Sequence, residues 1–201
     1  MSIVTRSTYD TIASHFAEAN RQMPGILRND LQSFLSRVSG DRLCLDLGCG
    51  AGRDMAWLES QKLGMVGVDF STGMLAEARK ATAGPLFQMD MRSLAFADST
   101  FDGIWCNAAL LHLPKSEAAG SLQEMRRILR IDSILNLTIQ QGNGEVWETN
   151  PYTWVGERFF ARYSSDEMTA MLVTTGFSIL DTRVIETSQK NWLRFAAKPL
   201  K

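Results

Sequence analysis

Apolar residues at 27, 31, 34, 35 and 38 recur at helical spacing and predict a helix over residues 25–38, stopped by Gly40. A weaker helix over about 8–19 carries Tyr9, Ile12, Ala13 and Phe16 on one face. From residue 42 the pattern changes to short apolar runs separated by helical segments. "RLCLDLG" (42–48), "GMVGVDF" (64–70), "PLFQMD" (85–90), "FDGIWCN" (101–107) and "SILNLTIQ" (133–140) read as strands. Helices are predicted over 53–62, after Ser71 with Met74, Leu75 and Ala78 inward, and over 116–129 with Ala118, Leu122, Met125 and Leu129 on the apolar face. Strands apolar through most of their length, alternating with helices, imply an α/β fold with a mostly parallel sheet covered on both faces.

After residue 140 the character shifts. The segment 141–163, "QGNGEVWETNPYTWVGERFFARY", is long, aromatic and rich in glycine. Connections of that length in a compact domain are usually functional or disordered. Helix signals return at Ser164 and Glu167, a capping-box spacing, and end at Gly176. "FSILDTRVIE" (177–186) and "NWLRFAAK" (191–198) then read as two strands joined by the short turn "TSQK", too short for a parallel crossover, so the pair is antiparallel. The 201 residues therefore divide, within a single domain, into an N-terminal helical cap (1–40), a core (41–140), a candidate substrate lid (141–163) and a C-terminal helix with a strand pair (164–201).

Charge narrows the partners. A net charge of −1 gives no broad electrostatic case for nucleic acid or an anionic membrane, and the basic stretch "RRILR" (126–130) reads as one side of a helix. No apolar run is long enough to span a bilayer, and the N-terminus has no signal core. Three cysteines, none in a CxxC pair, argue against a disulfide framework and point to a reducing, cytoplasmic setting. No acidic metal cluster is visible, so no metal is expected.

The chemistry begins at "LCLDLGCGAGRD" (43–54), where Gly48, Gly50 and Gly52 follow a strand that contains an acid, Asp46. In an open α/β sheet, ligands bind beyond the C-terminal strand ends where the strand order reverses. Glycines there allow a tight turn and close approach of backbone to ligand, and the next helix presents free N–H groups. A glycine loop alone is shared by many nucleotide binders. Its partners carry more: Asp69 ends the second strand, about where an acid accepts ribose hydroxyls, Asp90 ends the third, and "NAALLHLP" (107–114) follows the fourth. All fall at one edge of the sheet.

Together "YDTIASHF", "LDLGCGAGRD", "VGVDFSTGML", "FQMDM", "FDGIWCNAALLHL" and "EMRRILR" resemble the class I S-adenosylmethionine-dependent methyltransferases, closest to the small methyltransferase-domain proteins of the ubiquinone-biosynthesis type. The resemblance covers nearly the whole chain and is specific for cofactor and fold, not for substrate. It implies a Rossmann-like three-layer sandwich with a seven-stranded sheet of order 3-2-1-4-5-7-6, the last strand antiparallel. It further implies that Gly48, Cys49 and Gly50 approach the methionine moiety of S-adenosylmethionine, with Asp46 on its ammonium and Arg53 near its carboxylate. Asp69 would take the ribose hydroxyls, and Phe70 and Met74 would flank the adenine. Asp90 and the Met91 backbone N–H would bind the adenine edge, and Asn107 and Ala108 would line the floor near the sulfonium. Tyr9 and Phe16 would cover the cofactor. One departure stands out: the family's Lys-Pro-Gly-Gly turn before the fifth strand is here "RIDS" (130–133), which changes that turn at the edge away from the cofactor.

Methyl transfer needs alignment, exclusion of water and, when the nucleophile arrives protonated, a base. His112, just after the fourth strand, is the candidate base; His15, on the polar side of the first helix, has no role. Trp147, Tyr152, Trp154, Phe159 and Phe160 are candidates to wall an apolar acceptor pocket, with Arg158 available to an anionic group; the alternative is that these rings simply close the sheet edge. The expected acceptor is a small molecule methylated on O, N or S, and the expected assembly a monomer or homodimer. Two other classes stay open: an NAD-binding oxidoreductase, which would want GxGxxG where this chain has GxGxG, and a non-catalytic S-adenosylmethionine-binding protein. Within the class, a tRNA-modifying enzyme is the remaining alternative. The Asn/Asp-Pro-Pro-aromatic motif of base-amino methylators is absent after Asn107, and Cys106 lacks the Pro-Cys setting of cytosine-C5 enzymes.

Overall fold

The computed structural model describes residues 2–39, 41–153, 155–187 and 190–200. Two helices lead, α1 (Ile3–Ala19) and α2 (Gly25–Arg37). Alternation then runs β1 (Leu43–Leu47), α3 (Arg53–Ser60), β2 (Gly64–Asp69), α4 (Thr72–Ala81), β3 (Leu86–Gln88), β4 (Phe101–Asn107), α5 (Lys115–Ile128) and β5 (Leu129–Gln140). A hairpin follows, β6 (Glu145–Thr149) and β7 (Glu157–Ala161), then α6 (Ser165–Thr174), β8 (Phe177–Ile185) and β9 (Trp192–Pro199).

Seven strands form one sheet in the order β3-β2-β1-β4-β5-β9-β8. The first five pair parallel, and β9 runs antiparallel to both β5 and β8. This is the order expected from the sequence, with the two C-terminal strands renumbered because β6 and β7 pair only with each other. One apolar cluster joins the sheet to α5 and α6 through Leu122, Met125, Met168 and Leu172. The other joins the opposite face to α2 and α3 through Leu31, Phe34, Met55 and Leu58. Burial on both faces explains why β1 and β4 read as apolar runs without alternation.

Three departures from the sequence reading have physical causes. The first helix begins at Ile3 rather than near residue 8, because the Ser2 hydroxyl accepts from the Thr5 N–H at 3.1 Å and caps an added turn. The fifth strand begins at Leu129 rather than 133: in "RIDS" the left-handed position falls to Asp132 (φ 65°), a residue type that tolerates it, and the chain stays in the sheet through a register shift. Residues 141–163, expected as a loop-like lid, contain the antiparallel hairpin β6–β7.

The N-terminal helix is fastened to both sides of the sheet edge. Asp10 accepts from the Ser71 hydroxyl (2.6 Å) and the Gly73 N–H (2.9 Å) at the start of α4. On its other side Thr8 donates to the Glu157 carbonyl (2.8 Å) and Thr5 accepts from the Phe159 N–H (3.0 Å) on β7. These buried threonines are satisfied by hairpin backbone, so α1 and the hairpin form one wall over the C-terminal strand ends.

Candidate active site

A cavity of about 860 Å³ opens at the C-terminal ends of β1, β2, β4 and β5 and is closed over by α1 and the hairpin. Its position is the switch point between β1 and β4, where an open parallel sheet places a ligand.

The β1–α3 turn is shaped by steric necessity. Gly48 has φ 79°, and a Cβ on it would stand 2.2 Å from the Ala109 Cβ. Gly50 has φ 53°, and a Cβ on it would stand 3.9 Å from Phe16 Cε1, an ordinary contact. The Gly48 and Cys49 N–H groups donate to the Val68 carbonyl at 2.7 and 3.0 Å, and the Gly50 N–H donates to Asp69 Oδ2 at 2.9 Å. Asp69 Oδ1 accepts from the Ser71 N–H at 2.8 Å. Burial pushes the Asp69 carboxyl up, opposed by these backbone donors.

Asp46 lies beneath the turn and is 3% exposed. Its Oδ2 has no hydrogen-bond partner, and burial, then the nearby Asp54 and Asp69, push its carboxyl well up. Neither Asp46 nor Asp69 has an ion-pair partner among the described residues. Asp54, which sequence reasoning passed over, holds the floor together. Its Oδ2 accepts from Trp105 Nε1 and Asn107 Nδ2, each at 3.0 Å, and its Oδ1 from Arg53 Nε at 2.8 Å. Ala108 sits next to it at φ 56°, an uncommon conformation for alanine that the surrounding packing enforces. The Cys49 thiol is pushed well up by burial and stays protonated.

His112 is 4% exposed on a short 3-10 turn after β4. Its Nδ1 lies 2.7 Å from the Phe159 carbonyl, which can only accept, so Nδ1 carries the proton. Nε2 is then the acceptor for the Tyr9 hydroxyl at 2.9 Å, and Arg158 Nη1 donates to the Tyr9 oxygen at 3.2 Å. Burial, reinforced by the Arg158 charge, lowers the His112 pKa to about 4 against the pull of the Phe159 carbonyl. Burial likewise raises Tyr9 to about 12.

Of the residues singled out from the sequence, Tyr9, Phe16, Gly48, Cys49, Gly50, Arg53, Asp69, Met74, Asn107, Ala108, His112, Tyr152, Arg158 and Phe160 line this one cavity. Others lie elsewhere. Phe70 sits beneath the Arg6 guanidinium, 5.3 Å from its centroid. Asp90 accepts from Arg92 Nε at 2.9 Å; burial pulls its carboxyl up, but Arg92 outweighs this and holds it low. Met91 is in the core. Trp147 and Phe159 pack edge-to-face on the other side of the hairpin from the cavity, with Phe159 in the core. Trp154 lies outside the described residues. The wall also includes Asn20, Thr138, Gln140, Lys190 and Arg194, for which sequence pattern gave no signal.

A sequence model of the family described as methyltransferase domain matches residues 45–137. A candidate methyltransferase of Encephalitozoon cuniculi is 26% identical over 90% of both chains. The 18S rRNA (guanine-N(7))-methyltransferase bud23 of Schizosaccharomyces pombe is 31% identical over 58% of this chain and 44% of its own. Among solved structures, the Burkholderia thailandensis 1,6-didemethyltoxoflavin-N1-methyltransferase superposes with a TM-score of 0.79 at 18% identity, over 98% of this chain and 88% of that one. It carries bound 1,6-didemethyltoxoflavin and S-adenosylhomocysteine. The chain carries a methyltransferase domain and has the fold of solved S-adenosylmethionine-dependent methyltransferases. The match to a methyltransferase domain favours the methyltransferase reading over the nicotinamide one. No described helix of the methyltransferase is long and apolar enough to cross a membrane, and the described residues hold no metal-ligand cluster.

Proposed function

We propose that the methyltransferase holds S-adenosylmethionine along the Gly48–Asp69 side of the cavity and a small acceptor along the Tyr152–Arg158 side, and methylates an O, N or S atom. The carrying observation is the pair of acids, buried Asp46 and half-buried Asp69, neither with an ion-pair partner among the described residues. The orphaned Asp46 Oδ2 fits an ammonium, directly or through water, and Asp69 keeps lone pairs for ribose hydroxyls. Gly48 and Cys49 shape the turn with their N–H groups held by the Val68 carbonyl, Gly50 lines the cavity without a side chain, and Arg53 stands by for a carboxylate. Met74 flanks the base, Asn107 and Ala108 form the floor, and Tyr9 and Phe16 form the cover. Phe70, Asp90 and Met91 are assigned to the adenine end through their place after β2 and β3, next to Asp69.

The bound cofactor supplies an electrophilic methyl group on sulfur. The residues of this chain align the acceptor, exclude water and take its proton. His112, neutral at physiological pH, is the base and acts through Tyr9: as the acceptor's proton passes to the Tyr9 oxygen, the Tyr9 proton passes to His112 Nε2. The rings of Tyr9, Phe16 and Tyr152 pack edge-to-face and exclude solvent.

A half-open, ring-lined cavity of this size suits a small ligand beside a cofactor. That favours a small-molecule acceptor over an rRNA like that of the fission-yeast relative. Calorimetric titration of Asp69→Asn with S-adenosylmethionine tests the site assignment. Binding at least about 30-fold weaker than wild type is expected from the loss of charge-assisted hydrogen bonds. Unchanged affinity would remove it.

A further inference from the structure

Five cationic side chains line the cavity: Arg21, Arg53, Arg158, Lys190 and Arg194. Four have carboxylate partners: Arg21 pairs with Glu18, Arg53 with Asp54, Lys190 with Glu148 and Arg194 with Asp30. Arg158 has none among the described residues, although it is only 8% exposed. Its Nε is buried without a hydrogen-bond partner, and its Nη1 donates to the Tyr9 hydroxyl. A buried charge left without a counter-ion costs several kcal/mol, on the order of a broken buried ion pair.

The register of the hairpin makes this arrangement specific. Glu148 stands directly opposite Arg158 across β6–β7, the natural place for a cross-strand ion pair. Glu148 is instead bound to Arg162 and, at 2.8 Å, to Lys190. Three rings surround the guanidinium in its place, with centroids 5.5 Å (Tyr9), 5.7 Å (Tyr152) and 5.2 Å (Phe160) away. Rings hold a cation in position without neutralising it.

We infer that the acceptor of this methyltransferase is a carboxylate-bearing small molecule with an apolar or aromatic body, whose carboxylate is bound by Arg158. The inference rests on the acceptor half of the cavity proposed above. A guanidinium presents a planar fork that matches a carboxylate. Lys190 and Arg194 each have a carboxylate partner, Glu148 (shared with Arg162) and Asp30, which leaves Arg158 as the lining cation whose planar fork is available to a carboxylate. The rings beside Arg158 would cover the body of the ligand.

The test is calorimetry on the enzyme saturated with S-adenosylhomocysteine, titrated with benzoate, its neutral isostere benzamide, and phenyl phosphate. Benzoate is expected to bind saturably and at least about 10-fold more tightly than benzamide or phenyl phosphate. Arg158→Gln is expected to erase the preference, and Arg158→Lys to keep part of it. Absence of benzoate binding, equal binding of benzamide, tighter binding of phenyl phosphate, or a preference that survives Arg158→Gln would each overturn the inference. S-adenosylhomocysteine affinity is read in the same samples: its absence in wild type strikes the cofactor site, whereas intact affinity without anion preference strikes only this inference.

Discussion

The two halves of the cavity are electrostatic opposites. On one side, buried Asp46 and half-buried Asp69 have no ion-pair partner among the described residues; on the other, neither has buried Arg158. In each case a charged group is desolvated without a counter-ion, which in a stable fold points to a ligand that completes the charge balance. The halves also differ in construction. The acidic half is assembled from strand ends that follow one another in the chain, held by backbone hydrogen bonds. The cationic half is assembled from α1, a hairpin and β9, elements from opposite ends of the chain, held by side chains.

The largest expected effect breaks the acidic half. Gly48→Ala places a methyl group against Ala109 and forces alanine to φ 79°, so a loss of about 3–5 kcal/mol is expected in urea unfolding. The cationic half, which has no such backbone pinch at Arg158, should tolerate substitution without comparable loss.

His112 sits at the junction. With an acceptor that arrives protonated, His112→Gln should lower kcat by about 100-fold or more with little change in cofactor affinity. Unchanged kcat would leave His112 only its role in bracing Tyr9 against the hairpin. Its titration has a second consequence. The folded pKa of about 4 lies below the ordinary 6.5, so between these values the unfolded chain binds the proton first. Stability associated with His112 is therefore complete above pH 6.5 and lost as pH falls toward 4, by about 3 kcal/mol. Denaturant midpoints at pH 7 and pH 4 should show a smaller acid loss in His112→Gln than in wild type.

The smallest expected effects sharpen the boundary of the cationic half. Trp147 and Phe160 look alike in sequence, but strand alternation puts Phe160 on the cavity face and Trp147 on the other, where it is 44% exposed. Phe160→Ala should raise the acceptor KM about 10-fold, and Trp147→Ala less than twofold. The reverse order would mean that the hairpin register is not the one that forms the site.

The same contrast explains what could be read in the sequence. The parallel strands, the glycine turn and the acids Asp46 and Asp69 were legible because each lies in or at a fixed offset from a hydrophobic run, and the strand order followed from the family resemblance. The hairpin was not, since "EVWET" and "ERFFA" are short, preceded by glycine, and carry charges at Glu145, Glu148, Glu157 and Arg158 that follow no strand period. Without a register, its aromatics could not be sorted into cavity and core. Asp54 escaped notice because an acid in the first turn of a helix has an ordinary reason to be there. Only the fold brings it under Trp105 and Asn107. Lys190 and Arg194 reach the cavity through β9, about fifty residues beyond β5, a pairing no local pattern announces.

The central claim is that one cavity has a donor side at Asp69 and an acceptor side at Arg158. A crystal structure with S-adenosylhomocysteine tests it most directly. The account expects the ribose hydroxyls within hydrogen-bond distance of Asp69, the amino group at Asp46, and the Arg158 side of the cavity left open. A nucleoside lodged against Arg158, or bound outside the Gly48–Asp69 wall, would contradict it.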